Sequence, residues 1–364
     1  MQTNKLYKYL QAILKFLFLA AILYLFLLSI ELMGIAMKGL GGGFAEKLIT
    51  TTSNPFVGLF IGILATSVIQ SSSTTTSIIV GLVASGGLSV AGAIPMIMGA
   101  NIGTSVTNLI VSLGHISRPN EFKRAFSAAV VHDFFNLFAV IILFPLELFT
   151  HLIEKLAYFL TGFFVKFGGI NLLSPVKELT HPVTTCLKGS MSPVILLGLS
   201  LILIFFSLFY LVKLMKSIMV GRIEVAIDRY IFKQPATAFL FGILFTMLVQ
   251  SSSVTTSLVV PLAGAGLLTV EKIFPYVIGA NIGTTITAML VALITGSPVA
   301  VTVALAHFLF NAIGASIIYP FFRDIPIKHA KKLGELAIKS KKFAILYILT
   351  LFYIIPLILI FVFR

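Results

Sequence analysis

Gln70–Ser77 reads QSSSTTTS, eight consecutive hydrogen-bonding side chains between the apolar stretches GLFIGILATSVI and IIVGLVASGG. The run returns as QSSSVTTS at Gln250–Ser257, 180 residues further on. A second shared block, GANIGT, occupies Gly99–Thr104 and Gly279–Thr284. Hydroxyls and amides both donate and accept, so these side chains offer oxygens to sodium and O–H or N–H groups to an anion. A helix beginning near Ser72 or Ser73 would add free backbone N–H groups and a partial positive charge. The copy near Ser252 would do the same from the other side. Two converging helix N-termini with hydroxyl donors make an anion cradle that needs no arginine. The candidate anion donors are Gln70, Ser71, Ser72 and Ser73 with Gln250, Ser251, Ser252 and Ser253. The candidate sodium ligands are Thr75, Thr76, Asn101 and Thr104 with Thr255, Thr256, Asn281 and Thr284. Sodium beside the anion would offset its charge, so that each ligand favours the other.

Small hydroxylic residues also pack helices in membranes and bond back to the helix backbone. An isolated TTS is read that way. Eight polar residues in a row, repeated at one offset, favour a site. GANIGT carries the same two readings: its glycines permit close helix contact, or they free carbonyls for a cation beside Asn101 and Thr104. The site reading is favoured. His132 and Asn136 share a helix face at i, i+4, as do His307 and Asn311, and are read as interhelical hydrogen bonds that tie the scaffold. Asp133 faces Phe308 in the second copy. An intramembrane carboxylate is a functional candidate by default, so Asp133 is a candidate coupling residue, with simple pairing to a neighbouring donor as the alternative.

These residues sit in a chain of 364 residues, 58% hydrophobic and 10% charged, with a mean hydropathy of +1.08. That composition excludes a soluble globular protein and predicts an all-α membrane protein. The single cysteine, Cys186, excludes an internal disulfide framework and a cysteine-based metal site. The net charge of +14 is read as positive-inside loops, with no nucleic-acid partner. Lys5, Lys8 and Lys15 before an apolar run mimic a signal peptide. The run continues from Phe16 to about Ala36, however, and has a counterpart later, so a span is expected.

Between Gly62–Thr104 and Gly242–Thr284, 23 of 43 ungapped positions are identical. After a five-residue contraction VHDFFN (Val131–Asn136) meets AHFLFN (Ala306–Asn311), and Pro145 meets Pro320. The chain is two copies of one unit plus a last helix. Spans of roughly 20 apolar residues are predicted at Ala12–Ala36, Ala91–Leu113 and Ala125–Phe149. The second copy has Pro193–Met215, Ile273–Thr295 and Val299–Phe322, and the last helix is Phe343–Phe363. The arms flanking QSSS, Pro55–Ile69 and Thr74–Gly86, reach only about 20 Å each, short of a ~30 Å hydrocarbon core. Each pair is read as a re-entrant hairpin, 55–86 and 235–266. The predicted divisions are 1–150 and 192–322 for the two repeats, 151–191 for an extracytoplasmic connector whose Leu152–Ile170 lies on the surface, and 323–364 for a basic loop with the last span.

Three spans separate the starts of the two copies, so the copies are inverted; full crossing by both hairpins would keep the number odd. With the N-terminus cytoplasmic, cytoplasmic segments hold 18 basic residues and outer ones 7, Lys272 left aside at a helix start. The asymmetry fits a plasma or inner membrane protein. Inverted repeats with broken helices and a mid-membrane site are the architecture of secondary transporters.

QSSSTTTS, MGANIGTSVTNLIV, EFKRAFSAAVVHDFFN and the second QSSSVTTS…GANIGTT together resemble the type II sodium–phosphate cotransporter family, found in bacteria and animals. The resemblance covers about 55–148 and 235–322 and is closest to the transport core of a bacterial member. It implies sodium-driven import of inorganic phosphate by alternating access. It also implies phosphate at Gln70–Ser73 and Gln250–Ser253, sodium near the adjacent threonines and asparagines, sodium as coupling ion and no organic cofactor. Leu152–Met191 is short and has one cysteine, where animal members carry a large disulfide-bearing loop, and a soluble C-terminal domain of some bacterial relatives is not seen. Both departures bear on regulation. Other readings are a symporter for another small oxyanion, a channel, or a serine hydrolase. The last needs a base beside the serine, and His132 and His307 are expected on distant helices, so no enzyme is expected.

Overall fold

Proline at a first helical position and polar residues at the ends mark out short helices inside this apolar chain. The computed structural model describes residues 2–40, 49–50, 52–166, 174–207, 210 and 231–363, all helix and connecting turns, with no strand among them. In the first half run α1 (Gln2–Gly39), α2 (Pro55–Ile69), α3 (Ser72–Ala84), α4 (Val90–Gly103), α5 (Ser105–Leu113) and α6 (Pro119–Thr150). Next come α7 (Leu152–Lys166) and α8 (Ser174–Ser190). The second half has α9 (Pro193–Ser207), α10 (Pro235–Val249), α11 (Ser252–Gly264), α12 (Val270–Thr295) and α13 (Pro298–Ile317). α14 (Asp324–Lys339) and α15 (Lys341–Phe363) close the chain, α15 containing a π-helical turn at Thr350–Ile354. Among the described residues six stretches are long and apolar enough to cross a bilayer: Ile13–Met37, Val90–Leu113, Pro119–Thr150, Val270–Thr295, Pro298–Phe322 and Lys341–Phe363. The protein is an all-α membrane protein.

The span predicted at Pro193–Met215 is described only to Ser207, and 167–170 of the predicted surface segment lie outside the described residues. So do Lys47, Lys213, Lys216, Arg222, Arg229 and Arg364 of the charge count. The short helix α2 keeps the predicted bounds Pro55–Ile69, and its counterpart α10 is also 15 residues long. The second arm begins at Ser72, two residues before the predicted start, because Ser71 caps it: its Oγ accepts from Thr74 N at 3.2 Å. The predicted break at GANIGT appears in the first copy as a one-residue interruption at Thr104, whereas α12 runs unbroken through Gly279–Thr284.

The glycines explain why. A Cβ on Gly62 would collide with the Met96 carbonyl, and one on Gly99 with the Leu59 carbonyl. The second copy repeats this, Gly242 against Tyr276 and Gly279 against Phe239. α2 therefore lies backbone to backbone on α4, and α10 on α12, the small-residue packing of membrane helices. In both copies these glycines stay helical and give their space to contact.

The copies interlock. α3 packs on α12 and α13 of the other copy, while α11 packs on α5 and α6. Arg124 of α6 closes the C-terminus of α11, its Nη2 donating to Gly264 O at 2.6 Å and its Nε at 2.9 Å. There a cation meets the negative end of the helix dipole. α14 lies along α6. Its Glu335 accepts from Lys123 at 3.0 Å, and that hydrogen bond holds the carboxyl below the usual range.

α15 covers α2. Asn54 Nδ2 donates to Phe363 O at 2.8 Å, Phe56 stacks on Phe363 with centroids 4.9 Å apart, and Tyr353 OH donates to Ser67 O at 3.0 Å.

Candidate functional site

Each QSSS glutamine reverses the chain. Gln70 (φ 58°) and Gln250 (φ 57°) adopt the left-handed conformation that ends α2 and α10, a C-capping geometry that costs a non-glycine residue energy. Ser71 and Ser251 then return to extended backbone and cap α3 and α11, Ser251 Oγ accepting from Val254 N at 3.3 Å. One capping hydroxyl satisfies one of the first N–H groups of each half-helix, and the earlier ones have no intrahelical partner.

The two tips meet. Ser72 Oγ and Ser252 Oγ are 3.4 Å apart, both residues buried. Ser253 Oγ reaches the Gln70 carbonyl at 3.5 Å. Ser73 Oγ is buried with no hydrogen-bond partner among the described residues. Two helix N-termini, each led by a hydroxyl, thus face one point from opposite copies. Their dipoles and free donors suit an anion. The glutamine side chains differ. Gln250 Nε2 donates to Met247 O and its Oε1 accepts from Thr287 at 2.8 Å. Gln70 is exposed, and its carbonyl accepts from Thr107 at 3.5 Å. No histidine hydrogen-bonds a serine of either tip among the described residues.

The threonine hydroxyls bond back along their own helices. Thr75 donates to Ser71 O at 3.1 Å, Thr76 to Ser72 O at 2.8 Å, Thr255 to Ser251 O at 3.0 Å and Thr256 to Ser252 O at 2.8 Å. Thr104 and Thr284 do the same to Ala100 and Ala280. A hydroxyl that donates in this way keeps its lone pairs, so a cation ligand is not lost. Asn101 Nδ2 bonds back to Ile97 O at 2.8 Å and leaves Oδ1 without a hydrogen-bond partner among the described residues.

Asn281 is differently engaged. His132 Nε2 donates to Asn281 Oδ1 at 2.7 Å, and Asn281 Nδ2 donates to Asn136 Oδ1 at 2.6 Å. Asn136 Nδ2 donates onward to the Asn101 carbonyl at 2.7 Å. On the other side Asn108 Nδ2 lies 3.1 Å from His132 Nδ1, and Asn108 Oδ1 accepts from Thr256 at 3.0 Å. With Asn108 donating, the imidazole is neutral with its proton on Nε2. A buried relay thus runs from α11 through α5 and α6 to α12 and α4, joining the copies as the scaffold reading of His132 and Asn136 expects. The second copy does not repeat it. Both ring nitrogens of His307 and the Asn311 Oδ1 are buried without hydrogen-bond partners among the described residues. Asp133 is also buried; its Oδ2 accepts from Tyr347 of α15, and its Oδ1 has no hydrogen-bond partner among the described residues.

Four partners escaped the sequence reading. Thr107 and Thr287 are matched positions just beyond the compared window and would have been found by extending it. Asn108 faces Ala288, and Tyr347 lies outside both copies, so repetition carried no signal for either.

The profile of the Na+/Pi-cotransporter family matches residues 25–175 and 203–348. The sodium-dependent phosphate transport protein 2B of Homo sapiens is 33% identical over 97% of this chain and 66% of its own length. The 2A protein of Rattus norvegicus is 35% identical over 92% of this chain and 65% of its own. The 2B protein of Pongo abelii is 33% identical over 95% and 65%. The chain therefore spans about 65% of the length of the curated relatives it matches. No solved structure matches.

Proposed function

The chain belongs to the Na+/Pi-cotransporter family, and from that membership we propose that it is a sodium-coupled symporter importing inorganic phosphate by alternating access. The observation that carries the proposal is the meeting of Ser72 and Ser252 at 3.4 Å. Phosphate enters between the tips and replaces this serine–serine contact with bonds from both hydroxyls and from the free N–H groups of α3 and α11. Gln70–Ser73 and Gln250–Ser253 form the anion site. Neutral donors and two helix dipoles hold the charge, and sodium supplies the rest of the compensation.

Thr75, Thr76, Asn101 and Thr104, with Thr255, Thr256, Asn281 and Thr284, supply sodium oxygens. The back-bonded hydroxyls have lone pairs for this role, and Asn101 has a free Oδ1. Asn281 contributes least, because its amide is already engaged at both ends. Asp133 couples the last helix to the site region through Tyr347. The two copies are inverted, α2–α3 and α10–α11 enter and leave from opposite faces as re-entrant hairpins, and the N-terminus is cytoplasmic. The engaged His132 and the unpartnered His307 then belong to one of two states, which exchange their roles when access alternates. Transport explains the site without any chemical step, so the chain is not an enzyme.

Calorimetric titration of the purified protein with phosphate, first in sodium and then in potassium, tests the assignment. Binding should require sodium. Sulfate, which cannot donate a hydrogen bond at neutral pH, should compete poorly; equal competition would identify a less selective oxyanion carrier.

A further inference from the structure

A cleft of about 800 Å³ opens between α10, α12 and α13, lined by Ala236, Phe239, Ile278, Ile282, Ala315 and Tyr319. The comparison of the two copies explains its existence. Ala236 stands where the first copy has Phe56, and Tyr319 where it has Phe144. In the first copy the Phe56 ring meets Phe144 edge-on at 5.2 Å and stacks on Phe363 of the last helix. The equivalent space there is filled by a side chain and covered by a helix. In the second copy an alanine leaves the space open. Leu240, Leu244 and Leu248 of α10 are exposed as well.

The cleft lies among spans Val270–Thr295 and Pro298–Phe322, so its apolar walls face hydrocarbon. An empty void would forfeit the dispersion contacts of its lining. Its other end is polar. Arg323 ends the α13 span, is exposed, and forms no ion pair among the described residues. An adjoining cavity of about 340 Å³ shares Arg323, Gln234 and Tyr319 and adds Lys233 and Lys272. Among the described residues the acidic groups there are Asp324 and Glu271, and Glu271 is taken by Lys331. An apolar slot with a net cationic mouth fits a molecule with one apolar chain and an anionic head. The slot is no route for free phosphate, since among the described residues Arg323 is the sole charged group on its walls.

We propose that the cleft holds one acyl chain of an anionic phospholipid with its phosphate at Arg323, in the place that the last helix takes in the first copy. Guanidinium forms paired bonds to phosphate oxygens, so the head sets the preference and the alanine sets the fit. The assignment rests on the membrane fold and not on the transported substrate.

Native mass spectrometry of the delipidated full chain, titrated with phosphatidylglycerol or phosphatidylcholine, tests it. The wild type should retain one phosphatidylglycerol in preference to phosphatidylcholine. Arg323→Gln should lose the preference by roughly tenfold, the scale of one bond to a charged group. Ala236→Phe, which restores the first-copy residue, should abolish the tightly held lipid while leaving the melting temperature unchanged or higher; Ala236→Leu serves if the phenylalanine impairs folding. Equal retention of both lipids by the wild type and all variants would overturn the proposal. A dimer that Ala236→Phe dissolves would also overturn it, because a second copy of the chain would then be the occupant.

Discussion

Ser72 Oγ lies 3.4 Å from Ser252 Oγ, its counterpart in the other copy, and each is the first residue of a half-helix capped by the serine before it. Two capped helix N-termini in contact inside a protein place four dipole-aligned donors around one point with no counter-charge. That arrangement is costly while empty and favourable around an anion.

Removal of either hydroxyl therefore weakens the anion more than the fold. Ser72→Ala and Ser252→Ala should each cost about 1.5–3 kcal/mol of phosphate affinity, roughly ten- to hundredfold. Calorimetry in saturating sodium reads this directly. Wild-type affinity in both variants would mean that the serines only pack.

The cation ligands are tested best at Thr76. Among the described residues its hydroxyl bonds only to backbone carbonyls of its own helix, whereas Thr256 also donates to Asn108 and so supports the relay. Thr76→Val keeps the shape and removes the oxygen. It should move the sodium activation of phosphate binding to higher concentration, with phosphate affinity recovered at saturating sodium, because linkage is reciprocal. An unmoved sodium curve with persistently weak phosphate binding would place Thr76 in the anion site or in packing.

His132 and His307 are matched residues in unlike surroundings. His132→Leu strands Asn108 and Asn281, buried amides that lose a partner, and should lower stability by about 1–3 kcal/mol. His307→Leu removes a ring whose nitrogens have no partners among the described residues and should leave stability within about 1 kcal/mol. Thermal denaturation in detergent compares them. If the copies exchange roles, His307→Leu should still slow turnover, and equal stability losses in the two variants would contradict the asymmetry.

Much of this was legible in the sequence. Pro55 and Pro235 at first helical positions, and the polar QSSS after 15 residues, mark both short arms at their observed bounds. The repeat itself points to paired tips. Their convergence is expected from it, but the touching of Ser72 and Ser252 in particular is not legible, because the motif does not say which of its side chains faces its counterpart. The glycines of GANIGT carry two readings in the sequence. Glycine permits both unwinding and close approach, and only the carbonyls of Leu59 and Phe239 beside Gly99 and Gly279 decide for approach. The Asn108 and Tyr347 partnerships depend on tertiary contacts made once, outside the repeat.

Inverted topology has its own test. In a Cys186→Ser background, cysteines at Pro119→Cys and Ser297→Cys begin the matched helices α6 and α13. Membrane-impermeant thiol reagents should reach them from opposite faces in intact cells, Pro119→Cys only from the cytoplasm. Labelling of both from one face would refute the inversion.

The central claim is tested most directly by uptake of radiolabelled phosphate into proteoliposomes containing the purified chain, with sodium, potassium or lithium outside. The account predicts saturable accumulation above equilibrium that is driven by an inward sodium gradient and collapses when sodium is equalised or replaced by potassium. Phosphate accumulation that is indifferent to the cation, or a sodium gradient that moves no phosphate, would contradict it.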